Sequence, residues 1–271
     1  SPRIRKDGFM LAGVSTSSFF PLETEKALRL LGENGIKNAE LFVNDISEIR
    51  GAIFSEITSI ISGYGMNIVS VHPFLAPLED YLLFRDYKRR VDTFLDIYRE
   101  FFEFAQKVGA GILVFHGGAA DHVISTEKYA ERYLMLADAA APYSVTIAQE
   151  NVHYCKSGSI DFLKALEKEC GGRARFVLDI KQALRAGYDP VELVNAVGES
   201  VIHVHMSDNR PGKDCIPIGQ GTYDHRGLIS ALRSKGFDGA LIVELYRSGF
   251  SDCSDLTESV NVLEKYIEET S

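Results

Sequence analysis

Four short apolar runs in the second half of the chain each end in a side chain able to ligate a metal. They are Glu150 in TIAQEN, Asp179 in FVLDI, His205 in VIHVHMSD and Glu244 in LIVELY. A carboxylate at the end of a buried strand is costly unless something pairs with it. Clustered carboxylates also raise one another's pKa unless a cation or proton intervenes. Four such positions call for one explanation, and three carboxylates with one imidazole make a site for one divalent metal ion. Mixed oxygen and nitrogen donors with positions left open suit Mn²⁺, Mg²⁺, Zn²⁺, Co²⁺ or Fe²⁺. Such an ion polarises a carbonyl and stabilises the charge that develops when a proton leaves the neighbouring carbon. A carboxylate beside it is tuned to be the base.

These four residues meet only if the strands that carry them are neighbours whose C-terminal ends converge. Strand-like and helix-like segments alternate along the whole chain. The predicted strands are 9–17, 38–44, 67–74, 111–118, 146–151, 175–180, 201–208 and 241–246. Helical spacing is read over 21–35, 47–62, 126–140, 159–169, 190–197, 225–234 and 255–269, with a long, broken helical region over 78–108 and a short helix after Asp179. The strands are short and rich in Val, Ile and Leu, as in a parallel sheet buried on both faces. Strict alternation predicts α/β architecture, and eight units in 271 residues predict a single (β/α)8 TIM barrel domain spanning residues 1–271. An open doubly wound sheet would carry a Gly-rich phosphate loop after its first strand. The stretch GVSTSSFF is no such loop.

Composition narrows the function classes. The formal charge is −9, from 29 basic and 38 acidic residues. That argues against a duplex-binding surface, which needs a basic face; the cluster Lys88–Arg89–Arg90 reads as a solvated helix face. No run reaches the roughly 18–20 apolar residues that span a bilayer. The chain opens on Ser1 rather than Met, as a processed or trimmed chain would, and SPRIRKDGFMLAG lacks the long apolar core of a secretory signal. The four cysteines lie far apart without a CxxC spacing, which points to a reducing cytoplasm rather than to disulfides.

The chain resembles the xylose isomerase-like barrel superfamily, which contains sugar isomerases and epimerases, inosose dehydratases and AP-endonuclease-type enzymes. The resemblance rests on SVHPF around His72, VFHGG around His116, AQEN around Glu150, VLDI around Asp179, VHMSDN around His205, PIGQGTYDH over 217–225 and VELY around Glu244, in the family's order. It implies Glu150, Asp179, His205 and Glu244 as metal ligands, and Glu150 and Glu244 as an acid/base pair on opposite faces of the substrate carbon. It implies substrate contacts for His72 and His116 in the sugar branch, whereas their counterparts in the nuclease branch bind extra zinc.

Two departures bear on function. Where the endonucleases carry an Asp-x-His pair, this chain has Lys213, Asp214 and Cys215. Where many members have a histidine three residues after the aspartate, this chain has Gln182, with Lys181 beside it. Lys181 either faces substrate oxygens or a phosphate, or starts a helix and points outward. Arg210 is a further candidate for a hydroxyl or phosphate, His203 a support behind His205, and Asp208 a helper of a ligand or a cap. Phe19, Phe20, Phe74 and Tyr246 are either an apolar pocket wall or core. The 78–108 region is a candidate cover for the site or a subunit contact in a homo-oligomer. The reading with most support is a metal-dependent isomerase or epimerase of a small sugar, polyol or sugar phosphate. An inosose-type dehydratase, an endonuclease-type phosphodiesterase and a non-catalytic ligand-binding barrel are the alternatives.

Overall fold

The computed structural model describes residues 10–271. Phe9, the first residue of the first predicted strand, and the basic opening stretch lie outside the described residues. Eight parallel strands close into a barrel: β1 (Leu11–Ser15), β2 (Asn38–Val43), β3 (Asn67–Pro73), β4 (Ile112–Phe115), β5 (Thr146–Glu150), β6 (Phe176–Asp179), β7 (Val201–Met206) and β10 (Ala240–Val243). The barrel closes where β1 pairs with both β2 and β10. A two-stranded antiparallel hairpin, β8 (Asp208–Arg210) and β9 (Lys213–Ile216), stands outside it. The predicted strand over 201–208 ends earlier than expected, at Met206, because Asp208 already belongs to this hairpin.

The surrounding helices are α1 (Thr24–Glu33), α2 (Gly51–Tyr64), α3 (Ala76–Glu79), α4 (Lys88–Val108), α5 (Thr126–Ala140), α6 (Ile160–Glu169), α7 (Ile180–Arg185), α8 (Pro190–Val197), α9 (His225–Ser234) and α10 (Cys253–Glu269). Their starts follow from side chains that satisfy free N–H groups of a first turn. Ser125 caps α5, Ser159 caps α6, and Asp189 forms a capping box with Glu192 around Pro190. The break expected within 78–108 is real: a π-type turn over Asp80–Phe84 and an extended Arg85 separate α3 from α4.

The core has two parts. Between strands and helices lies a large apolar shell, with Phe94, Tyr98, Phe101 and Phe102 of α4 fully buried. Each such side chain contributes about 1.5–3 kcal/mol. Inside the barrel, Val114, Ala148 and Val177 form a small separate cluster. Side chains two apart on a strand face the same side, so the interior residues one step further along these strands are His116, Glu150 and Asp179. An apolar layer thus supports a polar one at the C-terminal mouth. All four cysteines are buried free thiols, and no described helix is long and apolar enough to cross a membrane.

Candidate metal centre

Strand order brings the four predicted ligands together. β5, β6, β7 and β10 are consecutive neighbours in the barrel. Asp179 pairs in register with His205, which in turn sits opposite Ile242, two residues before Glu244. The Nδ1 atom of His205 lies 3.4 Å from a Glu150 oxygen, 3.8 Å from Asp179 Oδ2 and 3.5 Å from Glu244 Oε2. All four donor atoms lie within 4.8 Å of one another. Cation–ligand bonds of about 2.0–2.2 Å set neighbouring donors about 3 Å apart or slightly more. Among the described residues His205 Nδ1 has no hydrogen-bond partner. A buried imidazole nitrogen left free and facing three carboxylate oxygens is what a divalent ion needs, so the donor set fits one.

Glu40 presents His205 in this way. It is fully buried on β2, and its Oε2 accepts from Ser70 Oγ at 2.7 Å. The same oxygen lies 3.0 Å from His203 Nε2 and 3.1 Å from His205 Nε2. Both imidazoles must therefore carry hydrogen on Nε2, which turns the Nδ1 lone pair of neutral His205 toward the carboxylates. Burial alone would push the Glu40 carboxyl up, but His205 and His203 outweigh it and hold the group well below the usual carboxylate range. For His205, burial opposes the charged form, yet Glu40 and Glu244 overcome it and raise the pKa well above its ordinary value. For His203 burial wins, and the ring stays neutral more readily than usual. Substituting Glu40→Gln is expected to weaken metal binding by about tenfold or more, the usual effect of losing a carboxylate behind a ligating histidine. Titration calorimetry of Mn²⁺ checks this, and unchanged affinity would make Glu40 a packing residue only.

His72 and His116 flank the other side of Glu150. Their Nε2 atoms are 3.0 Å apart, and His116 Nε2 is 2.8 Å from Glu150 Oε2. His72 Nε2 stands 3.6 Å from the same oxygen. With Glu150 these histidines form a second group whose ligand atoms lie within 4.8 Å of one another. Burial disfavours charge on His116, but Glu150 outweighs it and raises the pKa. Glu150 is held well below the usual range by His116 and its other imidazole neighbours, against burial. The loop bearing His116 is pinned by Glu79 of α3, which accepts from the backbone N–H groups of His116 and Gly117 and from Tyr98 Oη. The 78–108 region thus buttresses the site. Gly117 adopts φ +82°, and a Cβ there would lie 1.9 Å from Tyr129 Oη, so only glycine fits.

Lys181 points inward. It is 6% exposed, with Nζ 3.2 Å from Asp179 Oδ2 and 3.2 Å from Glu244 Oε2. Gln182 does not stand in for the missing histidine, because its Oε1 accepts from the backbone N–H of His153 and lies 2.6 Å from His153 Nδ1. Asn151 clamps the backbone of Asp179 through both its amide atoms, and Ser17 Oγ donates to Glu244 Oε1. Arg210 is exposed on the β8–β9 hairpin, outside the buried cluster. Asp208 organises the following loop by accepting from the N–H groups of Gly219, Gly221 and Tyr223. Asp214 is exposed and pairs with Arg185, while Cys215 Sγ lies against the Glu244 carbonyl. Phe19 is buried, Phe74 half-buried and Phe20 exposed. The Tyr246 ring lies 5.0 Å from Lys181 Nζ. The mouth opens at His116 and Glu244, whose side chains are 15% and 12% exposed. A cleft of about 750 Å³ lined by Phe19, Leu22, Arg247 and Cys253 lies apart from this cluster and includes none of its ligands. Converging donor atoms, not cavity size, mark the candidate site.

A closed eight-stranded parallel barrel with carboxylates and histidines gathered at its C-terminal mouth is the architecture of a large class of barrel enzymes. Residues 28–266 match the family model for the xylose isomerase-like TIM barrel, and the chain belongs to that family. It is 24% identical over 282 residues to a 3-dehydroshikimate dehydratase of Pseudomonas aeruginosa, covering 96% of this chain and 41% of that protein. A solved D-tagatose 3-epimerase-like protein superposes with a TM-score of 0.79 at 20% identity, over 96% of this chain and 98% of that one. A xylose isomerase-like protein from Mycobacterium smegmatis, solved in complex with magnesium, gives 0.73 at 16% identity over 91% and 88%.

Proposed function

We propose that this protein is a metal-dependent isomerase or epimerase acting on a small sugar, polyol or sugar phosphate. The observation that carries the reading is the convergence of Glu150, at the end of β5, and Glu244, just after β10, to 3.4 and 3.5 Å from His205 Nδ1, from strands that β6 and β7 separate. Two carboxylates that converge from separate strands can approach a bound carbon from different faces, which supports the reading. A divalent ion held by Glu150, Asp179, His205 and Glu244 would polarise the substrate carbonyl and acidify the neighbouring C–H. Glu150 and Glu244 both favour the charged, basic form. Glu150 takes the proton from carbon, and the proton delivered to the opposite face comes from water at the mouth through Glu244. Glu244, the more open of the two, exchanges its proton with water at the mouth. His72, His116 and Lys181 orient substrate oxygens. Four buried thiols suit a reducing compartment, and we place the protein in the cytoplasm.

A dehydratase is the second reading, favoured by the relationship to the Pseudomonas enzyme and by His116. That imidazole is partly open, beside Glu150, and inclined to carry a proton. After Glu150 takes a proton from carbon, a C=C bond would form, the neighbouring C–O bond would break, and His116 would protonate the departing hydroxyl. Incubation in D₂O with Mn²⁺ or Mg²⁺ and a panel of ketoses and cyclic keto-polyols separates the two. Deuterium at the carbon beside the carbonyl, with the carbon skeleton and its oxygens kept, is expected. Loss of water with a new conjugated absorbance would select the dehydratase, and neither outcome across the panel would count against both.

A further inference from the structure

Lys181 touches the same two oxygens, Asp179 Oδ2 and Glu244 Oε2, that face His205 Nδ1. We propose that Lys181 is a built-in cation of this centre, which occupies two ligand oxygens before the metal arrives and sets how weakly, and how reversibly, the metal is held. The inference rests on the metal-ligand reading above. Three features of the structure support it. The ammonium is enclosed, with the Tyr246 ring 5.0 Å away and only 6% of the side chain exposed, so it is a fixed charge rather than a surface lysine. Asp179 accepts the Gln182 N–H at the start of α7, which anchors the turn that carries Lys181. Finally, the formal charges close: Glu150, Asp179 and Glu244 supply three negative charges, and a divalent ion with one ammonium supplies three positive ones.

A metal and an ammonium that share oxygens repel each other strongly in a partly buried site. Removing the ammonium leaves the three carboxylates with no cation but the metal, so affinity rises. The lysine therefore converts a centre that would grip its ion into one that exchanges it. It also balances the formal charge of the three ligand carboxylates once the ion is bound.

The test is Mn²⁺ titration calorimetry on chelator-treated full-length protein, comparing wild type, Lys181→Met and Lys181→Arg. Lys181→Met is expected to bind Mn²⁺ at least tenfold more tightly, about 1.4 kcal/mol. Lys181→Arg keeps the charge and is expected to stay within a few-fold of wild type, with circular dichroism showing that both variants fold. Equal or weaker binding by folded Lys181→Met would overturn the proposal while leaving the metal centre in place. Absence of Mn²⁺ binding in wild type and both variants would overturn the proposal together with the ligand assignment. If Lys181→Met does not fold, Lys181→Gln at the same position decides by the same criterion.

Discussion

Glu150→Gln is expected to abolish turnover, by at least 10³-fold, in a protein whose barrel remains folded. Glu150 is 2% exposed and lies 2.8 Å from His116, 3.4 Å from His205 and 3.6 Å from His72. Glutamine keeps the size of the side chain but removes its negative charge. The substitution thus takes away the proposed base, which alone is worth about 10²–10⁴, and one anionic donor of the proposed metal centre. His116 owes its raised pKa chiefly to Glu150, so in the variant it sheds its proton rather than remaining an unpaired buried ion. The cost to stability should then be modest, about 1–2 kcal/mol, or a few degrees in thermal midpoint. Steady-state rates and a thermal melt followed by circular dichroism check both parts, and a folded variant with full activity would remove Glu150 from the chemistry.

The second large effect is on pH. Ligation through Nδ1 needs neutral His205, whereas Glu40 and Glu244, overcoming burial, raise its pKa well above the ordinary 6.5. Metal binding must therefore release a proton. Apparent affinity should fall about tenfold for each pH unit below the folded pKa of His205, roughly 100-fold over two units. The metal-free fold should respond in the opposite sense. Stability from charged His205 is fully present below about 6.5 and is lost as pH rises through the higher folded value. Stability from Glu40 and Glu150 is present above about 4.5 and is lost only as pH falls through their depressed folded values. Calorimetric Mn²⁺ titrations from pH 6 to 8 in buffers of differing ionisation enthalpy measure the released proton directly. A pH-independent affinity would mean that His205 is no ligand.

The convergence of Glu150, Asp179, His205 and Glu244, the four proposed ligands, was legible because each closes a short apolar run, and one-strand-at-a-time reading finds such positions. Helices with strong caps were equally legible: Thr126–Ala140, Pro190–Val197 and His225–Ser234 run over the residues predicted. What sequence withheld was partnership across the barrel. Nothing in the sequence singles out Glu40 within β2, because its partners His203 and His205 are 163 and 165 residues away. Glu79 lay in a stretch whose helical period says nothing of which carboxylate turns inward to hold His116. Lys181, the second residue of a six-residue helix, had two equally open directions. The enclosed arrangement of Asp179, Glu244 and Tyr246 around its ammonium settled the direction. The hairpin from Asp208 to Ile216 carries a turn signal in Pro211–Gly212, but its first strand runs on from β7 with only Ser207 between, so the two read as one strand.

The most direct test of a single metal centre is equilibrium dialysis of full-length protein against Mn²⁺ with metal analysis, followed by a thermal melt. One ion per chain is expected. At a hundredfold excess over Kd it should stabilise the fold by about 2.7 kcal/mol, which raises the midpoint by roughly 5–10 °C for a chain of this size. Asp179→Asn should lose most of both effects. Two or more ions per chain would assign His72 and His116 to a second ion rather than to substrate. No bound ion, with no shift in the melt on adding Mn²⁺ or Mg²⁺, would contradict a metal centre at Glu150, Asp179, His205 and Glu244.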